Sequence, residues 1–452
     1  MVSLRQQRDT YEAVVRAGDG AFGTQRPPLF SPAVAAQDRA NQAGWYGHFA
    51  QILLPVRYTD WVEETRAHVG SCYLGDWTPL NKILIRGRQA REFLGQLGLA
   101  NLAVFELGQI KHHVQLDDNG WVASEGVLCR LGEEEFLYTA GSGDWLAWQF
   151  GQGGWDAEIT DISPSQFIFG VQGPRSLFVL EQATGDSLRD IGFNRSREAR
   201  IDGAPVRVLR TGISGELGYE LHGSTDDAEE VWSAVEKAGA EYALRLLGFG
   251  SQSLQHVEAG IATNGLDYMP AAAITPGAPK QFRQRPIGGS FVPAAFTDYF
   301  RKPGELGWGP RKGLPAHDFR GRDALAADLA SGLPGRTLVG LRWNAADVVE
   351  VFSSLFGPGE PAEQMELPRL SGPSFDRVLS GGELIGVSSG RALSVNLRAT
   401  LSLCALDSRY ATPGTDVTIV WGRPGTAQRE IRATVTSLPF KPDRRRTDVT
   451  AL

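Results

Sequence analysis

The stretch that decides the fold is Leu209–His222, LRTGISGELGYELH, which predicts a strand, a tight turn and a second strand. Its three glycines supply the backbone freedom that such a turn needs. Because side chains alternate along a strand, Glu220 points to the opposite face from Tyr219. The local pattern leaves two interpretations open. One is an ordinary hairpin with a solvent-facing glutamate, and the other is a carboxylate beside a glycine-lined pocket that accepts paired N–H donors from a flat heterocycle.

The composition predicts a globular protein that works in a reducing compartment. A chain of 452 residues allows two or three domains, and 42% hydrophobic with 21% charged residues is typical of a sizeable core. The net charge is −7 with both signs interspersed, so no basic face for nucleic acid is expected. Three widely spaced cysteines predict reduced thiols and a cytoplasmic location. The sequence has no signal peptide and no long apolar run, which excludes secretion and a membrane partner.

Strand and helix patterns alternate through most of the chain and then give way to short strands. We predict a mixed α+β region over residues 1–335, built of two interleaved subdomains, and a β-barrel domain over 336–452. Residues 265–285 are rich in proline, alanine and glycine, which predicts either a functional lid or a surface connection.

Several motifs together resemble the glycine-cleavage T-protein (aminomethyltransferase) family. The first is Thr211–Glu220; the others, in the family's order, are Gly120–Glu125, Phe169–Pro174, Gly250–Gly260, Leu306–Trp308, Asp318–Arg322, Gly386–Gly390 and Leu438–Phe440. The resemblance runs from about Pro55 to Phe440. It implies a T-protein-like multi-domain fold, with mixed α/β folate-binding domains and a C-terminal barrel. It also implies tetrahydrofolate as the cofactor, with Glu220 binding the pterin ring.

Within that superfamily the chain most resembles the tetrahydrofolate-dependent aromatic O-demethylases, which act on vanillate, syringate and dicamba. Three stretches carry this resemblance: Ile287–Phe291, Glu305–Pro310, and Trp343-Asn344 running on to Ser353–Phe356. It implies a methyltransferase that moves a methyl group from a methoxybenzoate to N5 of tetrahydrofolate, giving a phenol and 5-methyltetrahydrofolate. Two alternatives stay open: another folate-dependent one-carbon transferase acting on an amine or a sulfonium, and a non-catalytic folate-binding protein.

A demethylase of this kind needs a donor for the departing phenolate oxygen. Gln252 and His256 lie four residues apart on a predicted helix and therefore share a face. The resemblance places Gln252 where the aminomethyltransferases have an arginine and vanillate demethylase has a catalytic tyrosine. An amide does not titrate usefully, whereas an imidazole with a pKa near 6.5 does. We predict that His256 protonates the oxygen and that Gln252 orients it. The other interpretation of His256 is a structural histidine packed on the sheet.

Further folate contacts follow from motif positions alone. The resemblance makes Gln172, Tyr219 and Trp308 secondary candidates, although Trp308 fits a core aromatic equally well. Ser124 stands where the family has its catalytic aspartate, which argues against glycine-cleavage chemistry and for an ether substrate. Ser124 either contacts the folate or the substrate, or is a plain turn serine.

The substrate carboxylate needs a cation, and the arginine that serves this purpose in vanillate demethylase has no clear counterpart here. Lys82, Lys111 and Arg285 are the candidates, and the adjacent His112 and His113 could add donors. For each charge the alternative is a solvated surface position. No metal site is predicted, because adjacent histidines on a strand point to opposite faces and no third ligand is suitably spaced. The sequence decides neither the ring substituents nor whether the protein is a monomer or a homo-oligomer.

Overall fold

A computed structural model describes residues 8, 9, 12, 29–279, 286–309, 313–332, 335–368 and 372–452. The α-helices in these residues are α1 (Val34–Ala40), α2 (Trp61–Gly70), α3 (Ala90–Leu97), α4 (Asp144–Phe150), α5 (Ser176–Thr184), α6 (Ala228–Gly239), α7 (Phe249–Glu258), α8 (Arg322–Ala330) and α9 (Ala345–Ser353). The strands are β1 (Leu29–Phe30), β2 (Trp45–Phe49), β3 (Ile52–Arg57), β4 (Cys72–Asp76), β5 (Asn81–Arg86), β6 (Ile110–Leu116), β7 (Val122–Arg130), β8 (Glu135–Ala140), β9 (Glu158–Asp161), β10 (Gln166–Gln172), β11 (Ser196–Ile201), β12 (Ala204–Leu209), β13 (Gly218–Ser224), β14 (Leu244–Leu247), β15 (Arg336–Trp343), β16 (Asp376–Ser380), β17 (Glu383–Ser394), β18 (Ala399–Asp407), β19 (Asp416–Trp421) and β20 (Arg429–Thr436).

The first large sheet has the strand order β11-β12-β13-β10-β4-β14. The stretch LRTGISGELGYELH supplies the end of β12, a turn and the start of β13, so the predicted strand–turn–strand is confirmed. Helices α5 and α6 cover one face of this sheet, where Leu177, Leu180 and Trp232 pack against its apolar side chains. Burial of such large apolar side chains is the main source of stability for a layered fold.

The second large sheet has the order β6-β7-β8-β5-β9, and all its neighbouring strands are antiparallel. Helices α3 and α4 cover one of its faces with Phe93, Leu94 and Trp145. The three alanines of the turn Ala271–Ala273 are buried, and two of them pack into this core. That part of the predicted lid is therefore held in the core, while residues 280–285 of it lie outside the described residues.

The C-terminal strands close into a six-stranded barrel in the order β15-β18-β17-β16-β19-β20, as predicted. Its interior is filled by alternate side chains, among them Leu341, Ile419 and Ile431. The boundary at residue 335 stays a prediction, because Phe375 and Val387 of the barrel region also pack into the core of the second large sheet.

The two large sheets meet at one junction, and we call the face of each sheet on that side its cleft face. Leu209 of the first sheet packs against Ile110 and Cys129 of the second. The Cys129 thiol also lies 3.3 Å from the Ser196 hydroxyl across the same junction. On this side the first sheet is also partly covered by α7, since the Tyr73 hydroxyl donates to Gln255. Within the described ranges, no helix has the length and apolarity needed to span a bilayer.

Candidate active site

On the cleft face of the first sheet, two glycines lie in a row with one glutamate. Gly75 of β4, Gly170 of β10 and Glu220 of β13 lie side by side across three hydrogen-bonded strands, and we call these three residues the glycine row. The row continues to Leu209, whose side chain enters the junction with the second sheet. Because cross-strand partners point to the same face, the Glu220 carboxylate stands beside two residues that have no side chain of their own.

Two side chains close over the glycines. A Cβ atom added to Gly170 would lie 2.6 Å from Nε1 of Trp77, and one added to Gly75 would lie 3.0 Å from Nε2 of Gln252. Only glycine at these two positions allows such a close approach. Gln252 donates to the carbonyl of Asp76 at 3.3 Å, which fixes its amide above the sheet. Trp77 was missed by the sequence reasoning, since a lone tryptophan after a strand carries no signal.

Gln172, a secondary folate candidate from its motif position, occupies the neighbouring row. It pairs with Tyr73 on one side and Gly218 on the other. Its Oε1 accepts from the backbone N–H of Ser214 at 3.3 Å, and its amide is so close to Gly212 that a Cβ there would lie 2.4 Å from it. The glycines of the turn thus make room for the Gln172 side chain.

Several polar atoms around the glycine row are buried and have no hydrogen-bond partner among the described residues. They are Nε1 of Trp77, Nε2 of Gln172 and Oε1 of Gln252. Leaving a buried polar atom unpaired costs about 1–3 kcal/mol, so three in one place indicate groups that await a ligand. Donors and an acceptor of this kind, next to a carboxylate, fit a flat heterocycle with N–H and C=O edges.

Glu220 itself is largely buried and makes no ion pair with arginine or lysine among the described residues. Its side chain is 15% exposed, and its Oε2 lies 3.3 Å from Nε2 of His222 on the same face. Burial and, secondarily, the charge of Glu220 raise the pKa of Tyr73, whose hydroxyl donates to Gln255 at 2.8 Å. The negative charge of Glu220 therefore acts on neighbouring groups of the site.

Tyr219 lies on the opposite face from Glu220. It is fully buried in the core beneath α5 and α6, and burial raises the pKa of its hydroxyl. Strand alternation sends neighbouring side chains to opposite faces, so Tyr219 cannot share the pocket of Glu220. This placement does not support the folate contact that the motif position implied for Tyr219.

Ser124 is also turned away from the cleft. Its hydroxyl lies 3.3 Å from that of Tyr138, which belongs to the core of the second sheet. The next residue, Glu125, stands on the cleft face and binds His112. Because side chains alternate along β7, Glu125 and not Ser124 lies on the cleft face. The position of Ser124 therefore does not support its predicted contact with the folate or the substrate.

The two predicted catalytic residues share a face of α7 but have different partners. Gln252 lies over Gly75, close to the glycine row. Nε2 of His256 lies 3.0 Å from Oδ2 of Asp267, and both side chains are almost fully buried. Asp267 also accepts from Ser389 of the barrel at 3.2 Å. His256 is therefore tied to the junction between α7 and the barrel.

The predicted substrate cations lie apart from one another. Lys82 is fully buried, donates to the carbonyl of Thr78 at 2.7 Å, and has its pKa lowered to about 7 by burial. Lys111 donates to the carbonyl of Asn101 at 2.7 Å, and burial lowers its pKa as well. Register places Lys82 on the cleft face and Lys111 on the other face of the second sheet. Arg285 lies outside the described residues.

The adjacent histidines point to opposite faces, as predicted. His113 is buried in the core, lies 2.9 Å from the carbonyl of Leu94, and has its pKa lowered to about 4 by burial. His112 stands on the cleft face, where Trp308 packs edge-on against it at 4.8 Å. In the described part of the chain, no three histidine, cysteine or acidic side chains lie close enough to hold a metal ion.

Comparison with known proteins identifies the class to which this fold and site belong. The family model for the GCVT N-terminal domain matches residues 36–276, more than half of the chain, so the chain belongs to the GCVT family. That family uses tetrahydrofolate. The predicted T-protein fold is confirmed by aminomethyltransferase T from Bartonella henselae, which superposes with a TM-score of 0.67 at 19% identity over 92% of this chain and 98% of that one.

Two relatives resemble the chain over most of its length. It is 35% identical to the sesamin methylene transferase of a Sinomonas species over 420 residues, 86% of this chain and 90% of that protein. It is 29% identical to the syringate O-demethylase of a Sphingobium species over 421 residues, with the same coverage. The relatives of the chain are thus methyl and aminomethyl transferases. It is therefore an enzyme of the transferase class.

Proposed function

We propose that the protein is a tetrahydrofolate-dependent O-demethylase that moves the methyl group of a methoxybenzoate to N5 of tetrahydrofolate. The observation that supports this best is the glycine row, where the Glu220 carboxylate lies close to the unpaired polar atoms of Trp77, Gln172 and Gln252. The two glycines let Trp77 and Gln252 lie close to the sheet, so that their polar atoms stand beside Glu220. The syringate O-demethylase relative supports an aromatic ether as the substrate.

In this proposal each residue has a separate task. Glu220 accepts N–H donors of the pterin as charge-assisted hydrogen bonds, and Gln172 adds a donor. Tetrahydrofolate, when bound, supplies the nitrogen that accepts the one-carbon unit. Trp77 and Gln252 keep the reacting groups aligned and dry, which supplies much of the rate in a displacement at carbon. Trp308 is the proposed aromatic contact for the cofactor beyond the row.

His256 is the proposed proton donor to the leaving oxygen, with Gln252 orienting the substrate beside it. Support comes from its place one turn beyond Gln252 and from Asp267, which stabilises a protonated imidazole. We expect His256→Ala to reduce turnover by about 100-fold, within the usual range for a general acid. A variant that folds and keeps near-normal turnover would show that His256 is a structural residue only.

Lys82 is the proposed cation for the substrate carboxylate, because it is the one described candidate on the cleft face. Lys82→Met should raise KM for methoxybenzoates while leaving KM for an uncharged anisole nearly unchanged. Equal KM changes for both substrates would assign Lys82 a packing role instead.

A second reaction is favoured by the 35% identity to a sesamin methylene transferase. In that reaction the aromatic substrate carries a methylenedioxy ring, both C–O bonds break, and the products are a catechol and 5,10-methylenetetrahydrofolate. The two chemistries differ in the number of C–O bonds broken and of C–N bonds formed, and we propose that one pocket serves either of them.

One assay separates these possibilities. The purified protein is incubated with tetrahydrofolate and, in turn, methoxybenzoates, a methylenedioxybenzene, and methylamine-type or sulfonium donors, and the folate products are identified by mass spectrometry. 5-Methyltetrahydrofolate from a methoxybenzoate supports demethylation, and 5,10-methylenetetrahydrofolate supports methylene transfer. Product from an amine or sulfonium alone would contradict both. Folate binding without product from any donor would indicate a non-catalytic binding protein.

A further inference from the structure

The imidazole of His112 and the carboxylate of Glu125 form a hydrogen-bonded pair on the cleft face of the second sheet. Nε2 of the imidazole lies 2.8 Å from Oε2 of the carboxylate, and the two side chains are 42% and 20% exposed. They stand on neighbouring strands, β6 and β7, near Val127, which packs at the junction between the sheets. The pair is therefore both organised and accessible.

Aromatic rings from two other segments close around this pair. Trp308 lies edge-on to His112 at 4.8 Å and to Tyr268 at 5.8 Å. The Tyr268 hydroxyl is buried and has no partner among the described residues. Burial and, secondarily, the charge of Glu125 raise the pKa of Tyr268. An imidazole–carboxylate pair beside an unpaired hydroxyl and an aromatic wall is the environment of a ligand-facing group.

The proposed reaction requires two proton transfers at different atoms. The bond from carbon to the ether oxygen breaks and a bond from that carbon to the acceptor nitrogen forms. The oxygen gains a proton, and the acceptor nitrogen loses the one it carried, so no proton is consumed overall. His256 is proposed to serve the oxygen, which leaves the nitrogen in need of a base.

We propose that His112, oriented by Glu125, is the base that takes the proton from the acceptor nitrogen. This inference rests on the proposed function and adds a second catalytic residue to the same site. A carboxylate hydrogen-bonded to one imidazole nitrogen fixes the tautomer and stabilises the imidazolium that forms. Because His112 is partly exposed, it returns the proton to water after each turnover.

The other histidines near the cleft are less suited to this task. His113 points into the core, His222 is bound to Glu220, and His256 is buried against Asp267. Nδ1 of His112, by contrast, has no hydrogen-bond partner in the ranges that the structure describes. That nitrogen is the one available to receive a proton.

The test compares His112→Gln and Glu125→Gln with His48→Gln, which changes an exposed histidine on β2, outside both large sheets. We expect kcat to fall about 100-fold in the first variant and about tenfold in the second, while His48→Gln matches the wild type. The loss in His112→Gln should be the same for methoxybenzoates whose phenols differ in acidity. The loss in His256→Ala should shrink as the phenol becomes more acidic, because a better leaving group needs less help.

A binding measurement provides a readout that does not depend on turnover. With 13C-labelled histidine, one imidazole resonance that is missing in His112→Gln should shift when tetrahydrofolate is titrated into the wild type. Calorimetry should give His112→Gln a Kd for tetrahydrofolate within about twofold of the wild-type value.

The possible outcomes distinguish failure of the proposed function from failure of the role of His112 alone. A wild type that forms no folate product from any aromatic ether overturns the proposed function, and the role of His112 with it. A wild type that turns over while His112→Gln keeps near-normal kcat overturns only this inference. An unmoved His112 resonance, or a loss that tracks phenol acidity, also overturns it.

Discussion

The two faces of the first sheet differ most at the centre of β4 and β10. The helix-covered face presents Leu74, Phe169 and Val171, all fully buried in one continuous apolar core. The cleft face, read along the same strands, presents Gly75, Gly170 and Gln172. Neighbouring residues of one strand thus belong to different environments, one in the apolar core and the next on the cleft face.

This difference separates stability from function within single strands. A core face gains free energy by filling space, and each large apolar side chain contributes about 1.5–3 kcal/mol when buried. The cleft face has three buried polar atoms with no partner among the described residues, which is costly unless a ligand pairs with them. Substitutions on the two faces should therefore produce separable effects.

The largest effect is expected on the core face, at Phe169. Its ring stacks on Phe167 at 4.2 Å and meets Trp232 edge-on at 5.0 Å. Phe169→Ala should lower the free energy of unfolding in urea by about 3–5 kcal/mol, because it leaves a cavity. Its Kd for tetrahydrofolate, measured under folding conditions, should stay close to normal. A large rise in Kd would show that the two faces are not independent.

Glu220→Gln should show the reverse pattern. Losing two charge-assisted hydrogen bonds costs roughly 3 kcal/mol, which is about a 100-fold rise in Kd. The unfolding free energy should change little, since Glu220 has only one weak hydrogen-bond partner in the described structure. Glu198→Gln on the exposed edge strand β11 is the matched control. An unchanged Kd in Glu220→Gln would remove the basis of the folate site.

The cleft face of the second sheet also differs from a core face, because the Lys82 amino group is buried there. Burial lowers its pKa to about 7, whereas the unfolded chain titrates near 10.5. Between these values the unfolded state binds more protons, so stability should rise with pH above 7 at up to about 1.4 kcal/mol per unit. Urea unfolding from pH 7 to 9 should show this rise in the wild type and not in Lys82→Met. Parallel curves would mean that Lys82 remains charged in the fold.

Gly170→Ala is expected to have the smallest effect. The added methyl would displace Trp77 and partly fill the glycine row, which should weaken tetrahydrofolate binding about tenfold. Val171→Ala, one residue later, should instead lower stability and leave the Kd unchanged. Calorimetry on the two variants gives the comparison directly, and identical Kd values would contradict it.

The sequence predicted the strand–turn–strand, the barrel and the position of Glu220, because alternation and glycine-rich turns are local properties. It did not predict Trp77, since its role depends on a glycine in a strand about ninety residues away in the chain. It also did not reveal that His256 would meet Asp267. Motif position suggested folate contacts for Tyr219 and Ser124. Strand alternation instead points both side chains into the cores of their sheets.

The central claim is that a reduced pterin binds at the glycine row with its N–H groups on Glu220. A crystal structure with 5-methyltetrahydrofolate tests this most directly. We expect the pterin ring to lie against Trp77 and Gln252, which cover Gly170 and Gly75, with the Glu220 carboxylate within hydrogen-bonding distance. A pterin bound anywhere else, with the glycine row still covered by protein side chains alone, would contradict the account.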